Sequence, residues 1–156
     1  MGTKSQTSMD DAAEMAKVVK GLRGVLSESV LRHVRASGDP SLRLAHQQVF
    51  ENLDAAGTRV TELADRAGIS HQAMGELVAE LVDLRYLERT PDPDDRRSRL
   101  VRPTAEGRRS IERGLQYLAA VRAAWERSLG DDLEVDRVLD ALQALGHILD
   151  EDLTGA

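Results

Sequence analysis

The sequence predicts a mainly α fold interrupted by one small β-hairpin, and three observations carry that expectation. Hydrophobic residues make up 41% of the chain but aromatics only 3%, so a core must be built from Leu, Val, Ile and Ala, which suits packed helices. Apolar residues recur at three-and-four spacing near both ends. Between them, the turn-rich run Pro91 to Arg97 lies between two short stretches of strand character.

At 156 residues the expectation is a single domain over 1–156 with a core of its own. The sequence contains no cysteine, which excludes disulfides, thiolate metal sites and thiol redox sensing and fits a reducing, cytoplasmic compartment. Met1 to Ser8 lack the apolar core of a leader, and no stretch approaches the roughly 18 apolar residues of a membrane span. A soluble protein is expected.

Taken in order, residues 9–36 carry Met15, Val18, Val19, Leu22, Val25, Leu26, Val30 and Val34, one apolar stripe on a long helix. Such a helix spans about 40 Å, more than a small domain covers alone. Gly21 and Gly24 weaken it by about 1 kcal/mol each relative to Ala, which a close-packed neighbour would justify. Ser37-Gly38-Asp39-Pro40 breaks this helix, and Ser41 is the expected cap of the next, which runs to a stop near Ala56-Gly57. Thr61 is the expected cap of a short helix ending at Gly68, whose left-handed conformation turns the chain towards Ser70. Ser70 caps a further helix to about Leu84.

Two helices joined by a short Gly-containing turn are a helix-turn-helix pattern, though an ordinary helical hairpin has the same signature. Tyr86 to Thr90 and Ser98 to Arg102 then read as strands, with Pro91 and Pro93 keeping the tip from pairing. A basic hairpin directly after a helix-turn-helix is a wing, which reaches the DNA backbone or minor groove while the helix enters the major groove. Thr104 caps a long helix with Ile111, Leu115, Leu118, Val121, Ala124 and Trp125, stopped by Gly130. A final helix is expected through Leu133 to Leu149. The layout is a winged helix-turn-helix module, 41–104, flanked by dimerisation helices at 9–36 and 105–153, whose apolar faces exceed what the module can cover.

The formal net charge of −6 does not argue against DNA once its distribution is counted. Residues 126–156 hold nine acids against two arginines, whereas residues 85–109 hold eight arginines against five acids. Within a Debye length a phosphate backbone feels the local excess.

The chain resembles the multiple-antibiotic-resistance regulator (MarR) family of bacterial winged-helix repressors. The likeness rests on Arg59-Val60-Thr61-Glu62-Leu63-Ala64, Gly68-Ile69-Ser70, the Leu77 to Leu87 segment, the run Asp92 to Arg97, and Thr104-Ala105-Glu106-Gly107. The resemblance implies a triangular homodimer on a short inverted repeat, with the wing's second arginine in the minor groove. It also implies that many members release DNA when a small, often aromatic or phenolic, effector binds between the dimer helices and the reading module. Arg85 stands where members usually have Gly, so the recognition helix is open to a different ending. Pro103 stands where a Leu is usual, and should stop the second strand.

On a helical wheel, Ala73, Met74, Leu77, Val78, Leu81, Val82 and Leu84 share one side, and Gln72, Gly75, Glu76, Ala79, Glu80 and Asp83 the other. The three acids would be repelled by phosphates, so the helix is expected to enter by its N-terminal tip. The DNA-contact candidates there are Ser70, His71, Gln72 and Gly75. Gln72 can pair bidentately with adenine, Glu76 can accept from a cytosine amine, and Gly75 lets the backbone come close. Ser70 and His71 sit at the positive helix end, although Ser70 is a cap in any case and His71 is equally readable as a solvated surface residue. In the wing, Arg97 is the minor-groove candidate, with Asp95 expected to hold its guanidinium by a bidentate pair. Arg96 and Arg99 are expected phosphate contacts, and Arg59 and Arg89 are readable as surface ion-pair partners.

His33, His46, His71 and His147 lack ligand spacing, and no nucleophile motif or phosphate loop is present, so neither a metal, a cofactor nor catalysis is expected. No residue is assigned to effector binding. The expected function is sequence-specific transcriptional regulation, as a homodimeric repressor on a palindromic operator with recognition helices about 34 Å apart. A winged-helix module for protein contacts and an effector-independent DNA-binding protein are the alternatives.

Overall fold

A computed structural model describes residues 3–95, 97–129 and 136–140. The elements run α1 (Thr3–Ala36), α2 (Leu44–Asn52), α3 (Val60–Ala67), α4 (His71–Asp83), β1 (Leu87–Pro91), β2 (Arg99–Pro103) and α5 (Ala105–Leu129). The mainly helical class with one hairpin is as the sequence predicts. Residues 136–140 are helical; the rest of the expected final helix, the Gly130 stop and His147 lie outside the described residues. The chain divides into two compact units, Met1–Gly114 and Leu115–Ala156, with the division inside α5. No helix among the described residues is long and apolar enough to cross a membrane.

The core of the first unit sits beneath α4. Met74, Val78 and Leu81 recur on one face of that helix and are fully buried with Val49 of α2, Leu63 and Ala64 of α3 and Val101 of β2. Truncating such a side chain to Ala typically costs about 2–5 kcal/mol, so the buried face fixes which residues of α4 point outward. Val34 near the end of α1 joins this core, and Gly114 of α5 lies against Val30 and Val34, a Cβ there meeting their methyls at 3.7 and 3.8 Å.

The caps differ from the sequence reading in two places. Arg43, not Ser41, is the N-cap of α2, because His46 at the third helical position accepts the Arg43 backbone N–H on Nδ1 at 3.2 Å. That contact satisfies an otherwise orphaned donor and starts the helix two residues later. The helix also ends earlier than expected, at Asn52, where Leu53 is extended. Arg59, not Thr61, precedes α3. Gly68 does take the left-handed conformation, at φ 66°, and Ser70 caps α4 by accepting the Ala73 N–H at 3.2 Å.

Arg85 also lies in the left-handed region, at φ 65°. The Tyr86 N–H donates to Leu81 O and the Arg85 N–H to Val82 O, both at 2.9 Å, which is the paired bonding of a Schellman ending. The helix thus closes as a Gly would close it, with an Arg in the strained position. Two residues on, Leu87 begins β1, paired antiparallel with β2 in the register Leu87 with Pro103, Arg89 with Val101 and Pro91 with Arg99. Pro91 is therefore the last residue of β1 rather than part of an unpaired tip. It tolerates the position because an end residue need not donate to the ladder. Pro103 ends β2 as expected. Thr58 adds a one-residue rung to the other side of β2, exchanging bonds with Val101 at 2.9 and 3.0 Å.

Candidate nucleic-acid interface

With its apolar side committed to the core, α4 leaves Gln72, Glu76, Ala79, Glu80 and Asp83 exposed and Gly75 half-buried among them. Ser70, His71 and Gln72 form the exposed N-terminal tip. His71 is not a free side chain: its Nε2 lies 3.1 Å from Asp65 Oδ1 of α3, across the turn. Gln72 Nε2 donates to Glu76 Oε1 one turn later, at 3.1 Å. A Cβ added at Gly75 would meet nothing within 4 Å, so internal packing does not require a glycine there.

The three acids of α4 do not form the uniform repulsive face expected from the wheel. Glu80 is turned to α2, where the Arg43 guanidinium donates to it and His46 Nε2 lies 2.9 Å from its Oε2. Because His46 Nδ1 accepts the Arg43 N–H, the hydrogen sits on Nε2 and the imidazole donates to Glu80. The His46 bond, then the Arg43 bond, holds the Glu80 carboxyl below its ordinary pKa. His46 is 1% exposed, so this contact fastens α4 to α2 from a buried side chain. Sequence reasoning missed His46 and Arg43: they lie more than thirty residues from Glu80 and share no spacing with it. The one available signal was a lone His close after a helix start.

The wing is built on a second long-range pair. Arg59, directly before α3, donates from Nε to Asp92 Oδ2 at 2.8 Å and places Nη2 2.6 Å from the same oxygen. Asp92 is buried and also accepts the Asp94 N–H at 3.0 Å. That backbone bond first, and Arg59 second, lower its pKa. Arg59 is thus an ion-pair partner, and the pair ties the wing's base to the helix-turn-helix.

Asp95 does not hold the Arg97 guanidinium. Its Oδ1 accepts the Arg97 backbone N–H at 3.0 Å and its Oδ2 accepts the Ser98 hydroxyl at 2.8 Å. These bonds, led by Ser98, lower its pKa. A short Asp side chain folds back on the backbone two residues ahead more readily than it reaches a guanidinium there. The tip is shaped by this turn, and Arg97 is exposed with no ion-pair partner for its guanidinium among the described residues. Arg99 is exposed on β2 and Arg89 on β1; Arg96 lies outside the described residues. Among the described residues no group of three or more His, Cys, Asp or Glu could hold a metal ion.

Behind the interface, α5 begins against the end of α4. Thr104 Oγ1 donates to Arg85 O at 2.7 Å and accepts the Gly107 N–H at 3.1 Å, the expected cap. Tyr86 donates its hydroxyl to buried Asp39 at 2.8 Å, and Arg113 Nε reaches the other oxygen of Asp39 at 3.0 Å. Burial, and then the Asp39 bond, push the Tyr86 pKa up to about 12. The corner between α1 and α2 is therefore bonded both to the chain leaving α4 and to α5.

Comparison with known proteins bears on this arrangement. The MarR family model matches residues 42–98, which covers α2 through the wing tip. No curated protein matches the sequence. Among solved structures, the MarR family transcription regulator SP03579 shares 16% identity over 99% of this chain and 100% of its own, with a TM-score of 0.75. CouR from Rhodococcus jostii RHA1, solved bound to p-coumaroyl-CoA, shares 24% over 86% of this chain and 92% of its own, with a TM-score of 0.66. Sco3205, a MarR family transcriptional regulator from Streptomyces coelicolor solved in complex with DNA, shares 22% over 98% and 93%, with a TM-score of 0.63. At these identities the structures establish a common fold. The MarR family model thus covers the helix-turn-helix and the start of the wing, and the chain has the fold of solved MarR family transcriptional regulators.

Proposed function

We propose that this chain, carrying a MarR family winged helix in the fold of that family's regulators, is a sequence-specific transcriptional repressor that binds a palindromic operator as a homodimer. One observation carries the reading: α4 is held by its buried face with its capped N-terminal tip exposed, and the wing carries an exposed arginine on a turn braced by Asp95. A helix N-terminus favours phosphate, an amide side chain reads base edges, and a guanidinium suits a narrow minor groove. Ser70, His71, Gln72 and Gly75 are the proposed major-groove contacts, and Arg97, with its turn built by Asp95, the minor-groove contact. Arg96 and Arg99 are proposed for the phosphates.

The dimer is supported by the first unit's long helix. Val18 and Val25 on α1 are 58% and 64% exposed, and Gly21 and Gly24 have open space where a Cβ would lie. A second copy covering that stripe would account for both. Release by a small aromatic or phenolic effector is proposed by analogy with the ligand-bound relative, and a thermal-shift screen of such acids and their thioesters tests it.

Anisotropy titration against DNA from the region upstream of the gene, at two salt concentrations, tests the reading. A palindromic operator should bind about 10³-fold or more tighter than scrambled DNA, with a salt slope of several units. Arg97→Ala should weaken binding and lower that slope by about one while leaving the oligomeric state intact. Equal binding to both DNAs, or none, overturns the regulator reading.

A further inference from the structure

We infer that Glu76 is a positioning residue for base recognition: its bond to Gln72 fixes the Gln72 amide so that Oε1 faces the DNA and selects a base carrying an exocyclic amine. The inference rests on the proposed function and deepens it by naming what sets specificity at one operator position.

The argument starts from an ambiguity in glutamine. A free Gln side chain can present either its carbonyl oxygen or its NH₂ group to a base by turning the terminal amide over, so by itself it accepts from adenine N6 or cytosine N4 and donates to guanine O6 or thymine O4. In this protein the ambiguity is removed. Glu76 Oε1 lies 3.1 Å from Gln72 Nε2, and a carboxylate only accepts, so the group facing it must be the NH₂. Turning the amide over would set Oε1 against the carboxylate, exchanging a charge-assisted bond for repulsion between two acceptors. Oε1 is thereby left for the base. The second Nε2 hydrogen stays free to donate to a purine N7, so the adenine pairing is completed rather than blocked.

Two neighbouring observations make the pair accessible to a base. Gly75 lies directly before Glu76 and shares the outward side with both residues, and open space lies where its Cβ would be, which keeps the surface between them low. Glu80, the next acid along the helix, is drawn to Arg43 and His46. Eight residues from Gln72, about 12 Å along the axis, it is out of reach of that amide, and Glu76 is the α4 acid bonded to it.

The test uses the full-length protein and every single-base variant of one operator half-site, read by anisotropy. Wild type should prefer adenine or cytosine over guanine or thymine at one position of the contacted strand by about ten-fold or more. Gln72→Ala should abolish that preference. Glu76→Ala should reduce it to within about three-fold while leaving preferences elsewhere in the site unchanged, and adding it to Gln72→Ala should change nothing further. Glu76→Gln, which can face the amide in either sense, should fall between wild type and Glu76→Ala. Because Glu76 is exposed, thermal unfolding should be unchanged, which separates a positioning effect from a loss of fold. An undiminished preference in Glu76→Ala overturns the inference while leaving the regulator reading intact, as does a wild-type preference for guanine or thymine where Gln72→Ala acts. Absence of any specific operator overturns both.

Discussion

The carbonyl oxygen of Tyr86 lies so close to Gly107 that a Cβ built on the glycine would stand 2.1 Å from it. Backbone meets backbone there, with no flexible side chain to give way. Gly107→Ala is therefore expected to destabilise the chain by about 1–3 kcal/mol or more, as overpacking of a fixed contact does, measured by urea unfolding. Operator affinity should fall with it, because the contact joins α5 to the chain leaving α4, the helix proposed to read the operator. Unchanged stability would mean that α5 can shift its start without cost.

Arg85 offers the opposite case. A left-handed residue with a side chain costs about 1–2 kcal/mol, partly offset because Gly loses more entropy on folding. Arg85→Gly should stabilise the chain by up to about 1 kcal/mol, with Arg85→Ala near neutral because it keeps the same strain. The Thr104 bond is to the Arg85 backbone carbonyl and survives either change. A clear loss of stability in Arg85→Gly would assign the Arg side chain a structural role.

Gly75 separates fold from function. Mid-helix Gly is worse than Ala by about 1 kcal/mol, and a Cβ there meets nothing within 4 Å. Gly75→Ala is expected to raise the unfolding free energy by roughly that amount and to weaken operator binding, the two effects having opposite sign. If the variant is more stable and binds DNA at full strength, close backbone approach at this position is not used.

The titrating groups set opposite limits. Asp92 and Asp95 have folded-state pKa values below their ordinary ones, so the stability they contribute is present above about pH 4 and is lost as pH falls through the depressed values. Asp92→Asn should lower stability at pH 7 and flatten that acid limb. Tyr86 is raised to about 12, so its contribution is complete below about pH 10 and is lost as pH rises towards 12. Tyr86→Phe should cost about 1 kcal/mol at pH 7, the worth of a hydrogen bond, yet lose less than wild type between pH 10 and 12. Chemical denaturation at stepped pH checks both limbs.

Local chemistry made much of the fold legible in the sequence. The three-and-four stripe in α4, the Ser70 cap, the left-handed Gly68 and the Thr104 cap each follow from residues within one or two turns of each other, where spacing is contact. The candidate tip of α4 and the basic wing were readable for the same reason. What the sequence could not determine were pairings between distant residues. Arg59 with Asp92, Glu80 with His46 and Tyr86 with Asp39 are separated by 33, 34 and 47 positions, and no periodicity encodes which acid meets which base across a packed core. Those pairs decided that Glu80 is turned to α2 rather than left on the open side of α4, that Arg59 anchors the wing's base, and that Tyr86 ties the end of α4 to the corner after α1. Sequence determined which segments are helix, turn and hairpin, because hydrogen bonding and capping act over a few residues. Tertiary structure decided what each charged side chain is for, because that depends on which neighbour the fold brings within about 3 Å.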